Sequence, residues 1–167
     1  QIEQASRIAD AINIPLIADA DTLGETVADA FHFTRRYVKT DIAGFHVEDN
    51  RNPRHSSYQG DLVPVVEMQA KLEACVKARG NSEFVIIARC DELYPKGYRG
   101  AGDGSLEEAI SRGKAYAEAG VTTAHEGATH AADLAVMKRA TAAGANIIDV
   151  IAYPFITELD RILEAAP

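Results

Sequence analysis

Apolar and polar positions alternate along the chain with two periods, and the switches between them predict the elements. Ile2, Ile8, Ala9 and Ile12 place an apolar stripe on a first helix that stops before Pro15. Leu16-Ile17-Ala18 reads as a short buried strand running into Asp19-Ala20-Asp21. A second helix is predicted from about Thr26 to Lys39, with Val27, Phe31, Thr34 and Val38 on one side. Gly44 to Val47 is the next strand, ending at Glu48-Asp49, and residues 50–61 carry loop composition without a period. Pro64 opens a third helix, lined by Val65, Met68, Leu72 and Cys75 and closed by Gly80. Phe84 to Ala88 forms a third strand ending at Arg89, followed by a glycine-rich loop over 95–104. Ser105 with Glu108 is a capping-box start for a helix ending near Gly120. Val121 to Ala124 reads as a strand ending near His125-Glu126. Beyond it come a helix over about 131–143, a strand from Ile147 to Ala152, and a short helix begun by Thr157.

Strand followed by helix recurs about every 30 to 40 residues, the size of a βα unit. Apolar strands without polar alternation imply a parallel sheet covered on both faces. A doubly wound sheet and a barrel both satisfy that pattern. Polar residues close strand after strand, at Asp19 and Asp21, Glu48, Arg89 and Glu126. Only in a barrel do all those ends converge on one site. The expected fold is therefore α/β, an incomplete (β/α) TIM-type barrel. One domain over residues 1–167 would hold about five βα units, where a whole barrel needs about 250 residues. The chain opens mid-architecture, on a helix rather than a signal-like segment. Open sheet edges predict a homo-oligomer.

Composition narrows the partners. With 17 basic and 25 acidic residues the net charge is −8, which argues against a broad nucleic-acid or anionic-membrane surface. A small anionic substrate stays compatible, because a bound divalent cation can reverse the local field. No apolar run approaches the roughly 18 residues that span a bilayer. The two cysteines, Cys75 and Cys90, make no disulfide framework and fit a reducing cytoplasm.

Asp19, Asp21 and Glu48 close two consecutive strands. Asp19 and Asp21, two apart, point the same way while the chain stays extended. Such hard oxygen donors suit Mg²⁺ or Mn²⁺, with waters and substrate oxygens completing the shell. Alternatively, strand-end acids cap helices or pair with arginines. Arg89 has the geometry to hold a substrate carboxylate bidentately, or to form an internal ion pair with Asp91 or Glu48. Residues 51–60 read either as a loop closing over an anionic ligand or as a solvated turn. The histidines show no metal spacing, Cys90 reads as a small buried residue, and Gly100, Gly102 and Gly104 read as loop.

Four segments then share order and spacing with a known family. IPLIADADT, GFHVED, FVIIARCD and EEAISRGKAYAEAG resemble the isocitrate lyase and phosphoenolpyruvate mutase superfamily over about residues 1–120. That family typically shows PLIADADTGYGN, AGIHIEDQ, FVIIARTDA and EAIERAKAYAEAGAD. The resemblance implies a barrel binding Mg²⁺ near the strand ends. Its chemistry would be lyase- or mutase-type, on a C–C or C–P bond of a small 2-oxo- or 2-hydroxy-acid, through an enolate-like intermediate. It matches Asp19, Asp21 and Glu48 to the metal-site acids and Arg89 to the carboxylate-binding arginine.

Departures from the family pattern bear on the reaction. The lyase branch carries a KKCGH or KRCGH loop whose cysteine supplies acid–base chemistry; here NPRHSSY stands there, with Ser56 near the cysteine position. A serine hydroxyl is a far weaker acid than a thiol. The mutase and phosphonopyruvate hydrolase branch has a PK-x-x-S loop that Pro53, Arg54 and Ser57 approximate, Arg54 replacing the lysine. Arg54 and Ser56 are accordingly the candidate catalytic residues, and Leu23-Gly24-Glu25 replaces the glycine-rich end of DTGYGN. After Gly120 the likeness ends. Residues 121–167 resemble instead an interior stretch of metal-dependent amidohydrolases, without that family's metal ligands. A join near residue 120 is consistent with a chimera, a misassembled reading frame or divergence. A non-catalytic fragment and an amidohydrolase-related fragment are thus the alternative readings.

Overall fold

A computed structural model describes residues 1–52, 60–93, 101–121, 123–129 and 149–154, with residues 135, 138–139, 141–142 and 144. The elements are α1 (Ile2–Ala11), β1 (Ile17–Asp19), α2 (Val27–Tyr37), β2 (Gly44–Glu48) and α3 (Val65–Arg79). Then follow β3 (Val85–Arg89), α4 (Leu106–Glu118), β4 (Thr123–Thr129) and β5 (Asp149–Pro154). The expected helices near 131–143 and after Thr157 lie largely or wholly outside the described residues, as do 53–59 and 94–100. β4 runs on to Thr129, past the expected end at Glu126, and β5 runs to Pro154, past the expected end at Ala152, while its expected start at Ile147 lies outside the described residues.

All five strands pair in parallel in the order β1-β2-β3-β4-β5. Partners across the sheet share a face, so the register fixes which side chains project together. Ile17, Gly44 and Val85 form one row and Asp19, His46 and Ile87 the next. Glu48 and Arg89 form a third row at the C-terminal edge. Ala18, Phe45, Val47, Ile86 and Ala88 project to the opposite face and belong to the core.

That core is closed by the helices. Met68, Leu72 and Cys75 from α3, Ala30 and Tyr37 from α2, and Tyr116 from α4 pack in it. Tyr37 and Phe84 meet Phe45 edge-on, with ring centroids 5.3 and 5.2 Å apart, the geometry favoured by aromatic quadrupoles. On α3 the buried face keeps Met68, Leu72 and Cys75 of the expected stripe, adds Lys71 and Ala74, and leaves Val65 half-buried. On α2 it does not: Ala30, Thr34 and Tyr37 are buried, whereas Val27 is exposed. Both sets have helical spacing and share Thr34. The observed face is the one that seats Tyr37 edge-on against Phe45.

Helix ends follow local chemistry. Thr26 and Asp29 form a reciprocal capping box at α2. At α4 the box is half made: Ser105 Oγ accepts from the Glu108 amide, while the Glu108 carboxylate turns to Arg112 Nε at 3.0 Å. The expected burial of β1 is partial, since Ile17 is exposed at the edge of the described sheet. α1 buries no residue fully, and Ile8 on its expected stripe is exposed.

Candidate functional site

The C-terminal edge of the sheet gathers the polar residues. β1 ends at Asp19, and the chain then enters a tight turn: Asp21, Leu23 and Gly24 have φ of 48°, 56° and 90°. Asp19 and Asp21 therefore do not stay on one extended strand, because the left-handed turn rotates Asp21 away from the pleat. They remain coupled, since the Asp21 amide donates to Asp19 Oδ1 at 2.9 Å. Asp21 also accepts from the Gln1 side-chain amide, and its carbonyl accepts from the Glu48 amide at 2.9 Å.

Leu23 stands where the family motif typically has glycine, and its left-handed backbone shows why glycine suits that place. For a leucine the conformation costs about 1–2 kcal/mol, offset by burial of its side chain, which is 4% exposed. Gly24 has no such latitude. A Cβ there would lie 2.5 Å from Asp29 Cβ.

Glu48 and Arg89 are brought together as expected for neighbouring strand ends, Nη1 to Oε2 at 3.5 Å, both buried. Arg89 also grips Asp91 through Nε at 2.8 Å and Nη2 at 3.0 Å. The internal ion pairs with Asp91 and Glu48 are thus both present. Burial works against the guanidinium charge, but Asp91 and then Glu48 hold its pKa above the ordinary value. Asn50 Nδ2 clamps the far oxygen of Asp91 at 2.6 Å. Nη1 is the Arg89 nitrogen with no Asp91 contact, and it lies on the Glu48 side.

His46 has no metal-ligand spacing in the sequence, yet the register brings it to the same face as Asp19, Nδ1 to Oδ1 at 3.5 Å. Burial depresses its pKa, against the pull of Asp19, and so favours the neutral imidazole.

Behind this edge lies a buried polar knot that the strand pattern did not reveal. Asp49, fully buried, accepts from Tyr116 OH at 2.6 Å and the Asp91 amide at 2.9 Å, with Arg112 Nη1 at 3.4 Å. Arg112 Nη1 also donates to the Val63 carbonyl at 3.0 Å. Burial pushes the Asp49 carboxyl pKa up. Alternation along β2 could have signalled it, because the residue after Glu48 must face the helices.

Arg54 and Ser56 lie outside the described residues. Their loop leaves and returns at the site's rim: Arg51 N donates to Asp61 O at 3.0 Å and Val63 N to Asp49 O at 2.8 Å. Cys75 and Cys90 are free thiols; burial raises the Cys75 pKa to about 11 and that of Cys90 well above its ordinary value. Neither is a poised nucleophile.

Fold and edge together define a parallel α/β protein that collects acids and an arginine at the C-terminal ends of its strands. The chain belongs to the phosphoenolpyruvate phosphomutase family, within the isocitrate lyase and phosphoenolpyruvate mutase superfamily; the family profile matches residues 1–162, so the likeness runs past Gly120, where the motifs ended it and residues 121–167 read as amidohydrolase-like. It is 33% identical over 122 residues to the isocitrate lyase of Haloferax volcanii, covering 72% of this chain and 34% of that one. It is 35% identical over 123 residues to a phosphonopyruvate hydrolase of a Variovorax species, covering 71% of this chain and 40% of that protein. The chain thus spans less than half the length of these curated relatives. A solved phosphonopyruvate hydrolase in complex with oxalate and Mg²⁺ is similar with a TM-score of 0.70 at 25% identity, covering 98% of this chain and 62% of that one.

Proposed function

We propose that this chain carries the metal-binding part of a Mg²⁺- or Mn²⁺-dependent lyase- or mutase-type enzyme acting on a small 2-oxo- or 2-hydroxy-acid. The observation that carries the reading is the meeting of Glu48 and Arg89 at paired strand ends, one strand from Asp19 and Asp21. Five parallel strands in unbroken sequential order support a single partial (β/α) barrel, since a doubly wound sheet reverses order at its switch point.

Asp19, Asp21 and Glu48 offer hard oxygen donors of the kind Mg²⁺ takes. Among the described residues no three His, Cys, Asp or Glu side chains gather closely enough to hold an ion directly. Water would therefore complete its shell. The bound ion would polarise the carboxylate and oxo oxygens of the substrate and stabilise enolate character. Arg89, held by Asp91, would orient the substrate carboxylate through its remaining N–H edge. Arg54 and Ser56, the candidate catalytic residues in the segment after Asn50, would contribute a positive charge and a hydroxyl hydrogen bond to the substrate and help exclude water.

The test is calorimetric titration of Mn²⁺ into the wild type and Asp21→Ala. We expect weak binding to the wild type and at least about tenfold weaker binding to the variant, the scale of a lost metal-site group. Identical heats would remove these residues from the metal site.

A homo-oligomer is part of the proposal. The outer edge of β1 is unpaired among the described residues, and Ile14 and Ile17 beside it are exposed. Light scattering should show a stable oligomer or aggregation; a monodisperse monomer at high concentration would contradict it. The free cysteines and the net charge of −8 fit a cytoplasmic enzyme that binds neither nucleic acid nor an anionic membrane surface. No described helix is long and apolar enough to cross a membrane.

A further inference from the structure

Lys71 sits on the buried face of α3 with Met68, Leu72 and Cys75, and is 4% exposed. Its Nζ donates to the carbonyl of Thr22 and, at 2.8 Å, to that of Gly24. Both acceptors are neutral, although a buried ammonium usually answers a carboxylate. Burial depresses its pKa, against the weaker pull of Cys75, Glu67 and Asp29. A sequence that needed only packing here would place an apolar residue, since an apolar side chain at this position of the stripe carries no desolvation cost.

The carbonyls it holds belong to the turn that presents Asp21. Three of the four residues Asp21–Gly24 have positive φ, two of them not glycine. Such a backbone persists only where its surroundings over-determine it. Leu23 is buried, its amide bonds the Ala20 carbonyl at 2.9 Å, and Gly24 lies against Asp29. Lys71 is the side chain that reaches across from another element to two carbonyls of the turn.

We propose that Lys71 is a positioning residue for the candidate metal site: reaching from α3 to the carbonyls of Thr22 and Gly24, it holds Asp21 in its left-handed turn beside Asp19. The consequence for metal rests on the function proposed above; the hold on the turn does not. Without the ammonium both carbonyls lose a buried donor. The turn then relaxes toward right-handed geometry, and the Asp21 carboxylate loses its fixed place.

Two readouts on Lys71→Met, with Lys71→Arg and Lys71→Gln beside it, test this. Hydrogen exchange of amides 20–26 should quicken about tenfold or more in Lys71→Met, with β2 and β3 protected as in the wild type. Mn²⁺ affinity should fall about tenfold or more, as when an outer partner of a metal site is removed. Lys71→Arg should recover part of both losses, and Lys71→Gln, which keeps a neutral donor, carries the comparison if the methionine variant does not fold. Unchanged exchange over 20–26 overturns the proposal whatever the metal result. Faster exchange with wild-type Mn²⁺ affinity overturns it too, reducing Lys71 to a structural residue. A wild type that binds no Mn²⁺ sinks the metal-site function instead, and the exchange comparison still decides whether Lys71 holds the turn.

Discussion

Arg112→Met should lower stability by about 3–5 kcal/mol at neutral pH, the scale seen when one partner of a buried ion pair is removed. Arg112 is 8% exposed, and Asp49, beside its Nη1, is fully buried. Methionine fills much of the volume but leaves the carboxylate neutral donors in place of the guanidinium, among them Tyr116 OH, the Asp91 amide and the Cys90 thiol. The loss should also depend on pH. Burial has already raised the pKa of Asp49 in the folded protein above its unfolded value. The native state therefore binds the proton more tightly, and stability falls as pH rises from the unfolded pKa through the folded one. Removing the guanidinium raises the folded pKa further, so the penalty grows over that span. Denaturant titrations near pH 4 and pH 7 should give a smaller difference between variant and wild type at the lower pH. A loss below about 1 kcal/mol at both values, the scale of an exposed pair, would show that Arg112 does not stabilise the Asp49 carboxylate.

No glyoxylate should be released from isocitrate by this chain, even with Mg²⁺ present. By the family resemblance Ser56 stands near the cysteine of the lyase loop, and a hydroxyl is far too weak an acid at neutral pH to replace a thiol in protonating an enolate. The structure adds a second reason. Two nitrogens of Arg89 are committed to Asp91, so in the proposed site the guanidinium would offer a substrate carboxylate only a reduced edge. Turnover above about one per second, within the ordinary enzyme range, would show that neither feature limits the reaction. Ser56→Cys separates the two: glyoxylate release in that variant makes the hydroxyl the governing defect, and continued silence places the defect at Arg89 or elsewhere in the site.

Much of this fold was legible because its determinants are local. The α3 stripe, the closing Gly80 and the Ser105 cap sit where their spacing predicts, since helical period and capping depend on residues three or four apart. The juxtaposition of Glu48 and Arg89 was legible too, because consecutive parallel strands that end together bring their last residues side by side. What was not legible depends on partners far apart in sequence. Nothing near Asp49 announces Arg112 or Tyr116, which lie more than sixty positions away. Lys71 reads as an ordinary polar residue of a helix until Thr22 and Gly24 are placed beside it.

The sequence by itself determined the alternation of parallel strands and helices, the acids and arginine at the strand ends, and the family, because these follow from periodicity and from motifs read in order. Only the tertiary structure decided how they are used. Asp21 leaves the two-residue alternation that Asp19 still follows, because a left-handed turn begins there, and that turn is held from α3. Arg89 is shared between Asp91 and Glu48, and α2 docks through Tyr37 rather than Val27. In each case several local choices were nearly equal in energy, and long-range packing and the requirement that buried polar groups find partners selected one.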